Sequence, residues 1–299
     1  MVVACRGLGR GGGAFDTRGR GSPAAGGTSR HFNLRSGPDS PSVGCVDAPH
    51  KEVSQRVQWT GDNEFVLDAT AFRALWWSEF VSTSNHFLLA KERKQVEYYC
   101  GLVADLGPRN VVELGIYQGG STAFFAALAK PRRMVAIELE DNPAPALQQY
   151  IADRGLDGVV SAHYGVDQSD AAAVRRIVET AFEGEKIDLV VDDASHELIP
   201  SRMSFNTLFP YVRPGGIYVI EDWALLHIGW CEPGYQPLSL LGFELLMAVG
   251  GRGGVIESVE VNQYVIAVKR GSAEIDPETF DIGRCYNDES RKLVPALWT

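Results

Sequence analysis

The chain has 299 residues, 45% of them hydrophobic and 22% charged, with a net charge of −10. That is apolar material for one large domain or two small ones. The acidic balance is poorly suited to gripping phosphate backbones, so no nucleic acid is expected as a partner. No run of ~18 apolar residues is present to form a membrane span.

The N-terminus lacks the continuous apolar stretch of a secretory signal. Five scattered cysteines without a CxxC pair argue against a disulfide framework or a zinc site and for reduced thiols, hence a cytoplasmic location. Homo-oligomerisation is left open.

Residues 1–55 are rich in Gly, Arg, Ser and Pro and are expected to be a disordered extension. Its arginines lack the interleaved aromatics that single-strand binding favours, so a floppy extension is the simpler reading than a nucleic-acid arm. Residues 56–107 read as an N-terminal helical cap. "ATAFRALWWSEFVS" (69–82) has apolar residues at helical spacing, and a second helix over 88–106 stops at Gly107-Pro108.

Strands and helices alternate through 108–270, the expected core. The strands are "NVVELGI", "RMVAIELE", "VVSAHYG", "IDLVVDD" and "GGIYVIED", and each of the first four is followed by an amphipathic helix. A longer connection leads to the helix "LSLLGFELLMAVG". Two last strands, "GVIESVEV" and "YVIAVKR", are too close for a crossover and must form an antiparallel hairpin. The fold class is therefore α/β, a doubly wound, mostly parallel sheet of seven strands with a terminal hairpin and a helical cap. Residues 271–299 form a polar C-terminal tail.

In such sheets ligands bind beyond the carboxyl ends of the strands, where strand order reverses. The first strand there ends in "VVELGIYQGGST". Gly115 allows a tight turn, and Gly119 and Gly120 allow close backbone approach before a helix that starts near Ser121. The spacing is GxxxGG, not the GxGxxG of dinucleotide sites. Glu113 would repel a pyrophosphate but suits a cationic amino group. Glu138, at the tip of the next strand, can accept both hydroxyls of a ribose. An amino acid joined to a ribose without phosphate describes S-adenosylmethionine.

On these residues the sequence resembles the class I S-adenosylmethionine-dependent methyltransferases, whose sheet is Rossmann-like, over about 105–270. The form "ELGIYQGGST", with Tyr117 where the commoner pattern has glycine, is similar to the macrocin/mycinamicin-type natural-product sugar O-methyltransferases and their cephalosporin-hydroxylase-like neighbours. The resemblance implies that Asp167, in "HYGVDQSD", contacts the adenine amino group, although Asp also simply starts turns.

The tips of the fourth and fifth strands carry Asp192-Asp193 and Glu221-Asp222. Paired strands lie about 4.8 Å apart, so four carboxylates meet over one sheet edge, and a hard divalent cation such as Mg²⁺ would relieve their repulsion. The resemblance assigns Asp193, Glu221 and Asp222 as metal ligands and His196, three residues after Asp193, as the catalytic base, with Asp192 toward the cofactor. A solvated set of helix-capping and loop acids is the bland alternative.

The expected function is a Mg²⁺-dependent O-methyltransferase acting on a hydroxyl of a small sugar or polyketide-type acceptor. A nicotinamide-dependent oxidoreductase, or a non-catalytic cofactor-binding member of the fold, is the alternative. The loop "WALLHIGWCEPGYQP" places Trp223, Trp230 and Tyr235 either on the acceptor or against the N-terminal helices with Trp76 and Trp77, and His227 either on the substrate or as loop filling. His163 reads as structural.

Overall fold

The computed structural model describes residue 53, residues 55–76, 78–229, 236–251 and 253–286, and residues 289 and 292. The expected extension therefore lies almost wholly outside the described residues, as do Trp77, Trp230 and Tyr235.

The N-terminal segment is where the sequence misled. Residues 69–82 do not form a helix. Four strands, β1 (Val57–Trp59), β2 (Glu64–Leu67), β3 (Thr70–Ala74) and β4 (His86–Leu89), form a sheet in that order, antiparallel except for the parallel β3–β4 pair. The apolar spacing of 69–76 fits both periods, and the strand period wins. Thr70, Phe72 and Ala74 point inward, while Ala71 and Arg73 are half-exposed. Phe65 stacks on Phe72 at 5.1 Å, and Phe124 from the core packs edge-on against both. The second expected helix is shorter, α1 (Arg93–Leu106). It opens with a Glu92/Gln95 capping box and closes on left-handed Gly107.

The core follows the expected order. It runs β5 (Asn110–Leu114), α2 (Gly120–Ala129), β6 (Arg133–Ile137), α3 (Pro145–Arg154), β7 (Val160–His163), α4 (Ala171–Phe182), β8 (Ile187–Asp192), α5 (Leu198–Leu208) and β9 (Val212–Glu221). Then come α6 (Ser239–Gly250), β10 (Ile256–Val261) and β11 (Val265–Arg270). The seven-stranded sheet has the order β10-β11-β9-β8-β5-β6-β7. Strands β5 to β9 are parallel, and the β10–β11 hairpin adds antiparallel through β11. Strand order reverses between β5 and β8, which opens the crevice at their carboxyl ends. Among the described residues, no helix is long and apolar enough to cross a membrane.

Register decides which way each site side chain points. Leu114 pairs with Asp192, and Asp192 with Ile220, so the three strand tips are level. Alternation puts Glu113, Val191 and Val219 on the face covered by α1 and α2, and Leu114, Asp192 and Ile220 on the face covered by α4 and α5.

Candidate active site

The glycine loop is held from several sides. Gly115, at φ +91°, lies so close to the β8 tip that a β-carbon there would sit 2.2 Å from the carbonyl oxygen of Asp193. The bare side of Gly120 is filled by the Leu88 carbonyl of β4, so its small size serves the packing of the N-terminal sheet. Gln118 accepts from the Ser82 amide and donates to the Phe80 carbonyl, tying the loop to the segment between β3 and β4. Tyr117, at φ +50°, is exposed at the loop's apex.

Glu138 reaches the same loop. One carboxylate oxygen accepts from the amides of Ile116 and Tyr117, at 2.9 and 2.8 Å, and the other accepts from the Glu140 amide. The first oxygen is thereby saturated, and the second keeps one lone pair for a further donor. Glu113 lies beneath the loop, fully buried. Thr122 donates to it at 2.5 Å, and its second oxygen has no hydrogen bond of normal geometry. Burial pushes its carboxyl up to about 7, against the pull of the Ser121 and Thr122 hydroxyls at the start of α2.

Beyond β7, Asp167 accepts from the amide and hydroxyl of Ser169, an Asx-type turn. The next residue does more. Gln168 is buried, donates to Asp192 and Ser204, and accepts from the Ser195 amide. It links the β7 loop to the β8 loop.

The two aspartates of β8 part company, as strand alternation requires. Asp192 turns to the α5 face, where Ser204 and Tyr218 donate to it at 2.7 and 2.9 Å. Burial pushes its carboxyl up to about 6, against those hydrogen bonds. It is an interior carboxyl that accepts from three side chains. Asp193 turns to the other side, with its Oδ1 4.0 Å from His196 Nε2.

Alternation alone would send Asp222 to the face of Asp192. Asp222 instead leaves β9 with φ +53°, and its carboxylate joins Asp193 and His196. One donor atom from each of the three lies within 4.8 Å of the others. His196 is itself left-handed, at φ +56°. Two such non-glycine residues in one cluster mark a site whose geometry the surrounding fold imposes. Burial raises the Asp222 carboxyl, as does the neighbouring Asp193 charge.

Glu221 does not join that trio. It is buried, and both its oxygens lie 2.7 Å from Lys91 Nζ, which also donates to Asp193 at 2.9 Å. Tyr99 and Gln95 of α1 donate to the same carboxylate. Burial works against the Lys91 charge, but the two carboxylates hold its pKa above the ordinary lysine range. Burial and the Asp193 charge push the Glu221 carboxyl up to about 8, with Lys91 opposing. We take it as ionised, because four contacts from donor groups converge on it.

Sequence reasoning missed Lys91, Gln95, Tyr99 and Gln168. The signal for a buried cation was nonetheless present, since four acids at one sheet edge need one.

In the long loop, Trp223 donates its indole N–H to the Asn262 carbonyl in the β10–β11 turn, and His227 meets Ser239 at 2.9 Å. His163 sits at the end of β7, where burial lowers its pKa.

A doubly wound sheet with a terminal hairpin, a glycine loop leaning on an acid at the next strand tip and an acid–histidine cluster beside it meet at one sheet edge. Residues 112–223 match the family described as "Methyltransferase domain". Among curated proteins, the chain is 36% identical over 164 residues to the 8-demethyl-8-(2-methoxy-alpha-L-rhamnosyl)-tetracenomycin-C 3'-O-methyltransferase of Streptomyces olivaceus, covering 52% of this chain and 37% of that protein. It is 33% identical over 143 residues to the demethylmacrocin O-methyltransferase of Streptomyces fradiae, covering 44% and 33%. A third relative, the mycinamicin VI 2''-O-methyltransferase of Micromonospora griseorubida, is 52% identical over 56 residues, covering 19% and 13%. The chain thus spans at most 37% of the length of these curated relatives. A solved structure of the MycE methyltransferase in complex with Mg, SAH and mycinamycin VI shows 26% identity and a TM-score of 0.46, covering 58% of this chain and 49% of that one.

Proposed function

We propose that this protein is an S-adenosylmethionine-dependent, Mg²⁺-assisted O-methyltransferase acting on a hydroxyl of a glycosylated small molecule, in the cytoplasm. The observation that carries the proposal is one of placement. The glycine loop with Glu138 and the Asp193–His196–Asp222 cluster share the crevice between β5 and β8, locked together where Gly115 meets the Asp193 carbonyl. The sugar acceptor rests on the curated relatives, whose names carry rhamnosyl and olivosyl groups.

The donor set fits the ion. Asp193 and Asp222 offer two carboxylates, the number Mg²⁺ usually takes from protein, and leave room for substrate oxygens. When bound, S-adenosylmethionine would supply an electrophilic methyl group, and Mg²⁺ a Lewis acid that lowers the pKa of a substrate hydroxyl.

The chain's own residues do the rest. Glu138 shapes the glycine loop and presents its one remaining lone pair to a ribose. His196 accepts the hydroxyl proton on its imidazole, the side chain most often used as a general base. Asp193 faces that ring at 4.0 Å and would, with Asp222, hold the ion beside it.

The test is transfer of a labelled methyl group from S-adenosylmethionine to a panel of rhamnosyl and olivosyl glycosides, with and without EDTA, on the full chain. Labelled product that disappears with EDTA is expected. No labelled product, together with no binding of S-adenosylmethionine, would refute the proposal.

A further inference from the structure

The buried contact between Lys91 and the strand-tip acids has no part in the chemistry above. Lys91 lies between β4 and α1, 102 residues before Asp193 and 130 before Glu221, and is 1% exposed. Its ammonium donates to one oxygen of Asp193 and to both oxygens of Glu221. Tyr99 donates to Glu221 at 2.5 Å, and Gln95 at 3.3 Å. Glu221 is thereby turned inward, onto donors supplied by the N-terminal segment. Asp193 keeps its Oδ1 on the side of His196. Three carboxylates and one ammonium leave a charge of −2 at the cluster, which a single divalent cation balances.

We propose that Lys91 is a positioning residue that acts as a built-in counter-cation. It withdraws Glu221 and one oxygen of Asp193 from metal binding, so that the divalent ion is held by Asp222 and the remaining Asp193 oxygen and is bound weakly. The proposal rests on the metal-assisted reading above and specifies which acids of that site take part. A weakly held ion keeps more of its charge for the substrate oxygen, since fewer anionic ligands share it. The same arrangement couples the site to the N-terminal sheet, because the lysine that sets the ligand number follows β4 directly.

The experiment is a titration with Mn²⁺ alone, followed by the EPR signal of the free ion, on the full-length wild type and on Lys91→Met, Lys91→Arg, Glu221→Gln and Asp222→Asn. Lys91→Met should bind Mn²⁺ at least tenfold more tightly than wild type, and Lys91→Arg within about threefold of it. Loss of a merely structural lysine would not tighten metal binding. Wild-type binding with no gain in a folded Lys91→Met overturns the proposal and leaves the metal-assisted reading standing.

Should Lys91→Met fail to fold, the other pair decides. Glu221→Gln should leave the Mn²⁺ affinity within about twofold of wild type, while Asp222→Asn weakens it at least tenfold. Equal losses in the two overturn the proposal. Absence of Mn²⁺ binding in wild type and Lys91→Met alike overturns both the proposal and the metal-assisted reading.

Discussion

Replacing Gly115 with alanine adds a single methyl group, yet it strikes the joint between the two halves of the site. The β-carbon would lie 2.2 Å from the Asp193 carbonyl oxygen, 2.9 Å from its carbon and 3.1 Å from the Ala194 α-carbon. Ordinary contacts begin near 3.5 Å, so the backbone at 193–194 must retreat by about 1 Å. The left-handed backbone adds roughly 1–2 kcal/mol of strain, and overpacking adds roughly 1–3 kcal/mol. At about 2–4 °C per kcal/mol for a domain of this size, the melting temperature should fall by roughly 4–20 °C. Function should suffer more than stability. Asp193 belongs to the cluster with His196 and Asp222, and a misplacement of ~1 Å in such a group can cost ~10²-fold in rate. Thermal unfolding followed by circular dichroism, beside methyl transfer measured well below the lowered melting temperature, separates the two effects. A variant with wild-type melting temperature and wild-type turnover would refute the reasoning, since it would show that the loops do not meet through their backbones.

Two further outcomes follow from the site. Glu113 titrates near 7 in the folded chain, against an ordinary 4.5, so the native state holds its proton more tightly than the unfolded chain does. That contribution is complete below pH 4.5 and lost as pH rises through 7, in total ~3 kcal/mol at ~1.4 kcal/mol per pH unit. The neutral variant Glu113→Gln should therefore lose less stability than wild type between pH 5 and 7.5 in urea titrations, and parallel profiles would contradict this. His196→Asn keeps a residue that tolerates φ +56° but removes the proton acceptor. Its kcat should fall by ~10²–10⁴ with S-adenosylmethionine binding retained, and a kcat within fivefold of wild type would exclude His196 as the base.

The core was legible because its signals agree. Apolar runs bounded by glycine and acid residues, alternating with amphipathic helices, leave few arrangements, and a short final connection forces a hairpin. The N-terminal sheet was not legible, because "TAFRA" satisfies helical and strand spacing equally over so short a run, and packing against Phe124 decides between them. Within the site, adjacency in sequence hid opposite directions. Asp192 and Asp193 are neighbours, yet strand alternation sends one to Tyr218 and the other to His196. The converse holds for Asp222, which reaches the cluster only through a left-handed backbone that no composition rule announces. Lys91 was the least legible of all, since a lysine that opens the charged run Lys91-Glu92-Arg93-Lys94 reads as a surface residue until the fold buries it.

The measurement that tests the central claim most directly is isothermal titration of S-adenosylmethionine into the full chain and into Glu138→Ala, each with and without Mg²⁺. The account predicts micromolar binding to wild type in both conditions and its loss in the variant, because Glu138 holds the glycine loop through the Ile116 and Tyr117 amides and is the residue proposed to meet the ribose. No binding to wild type in either condition, or equal binding to the variant, would contradict it.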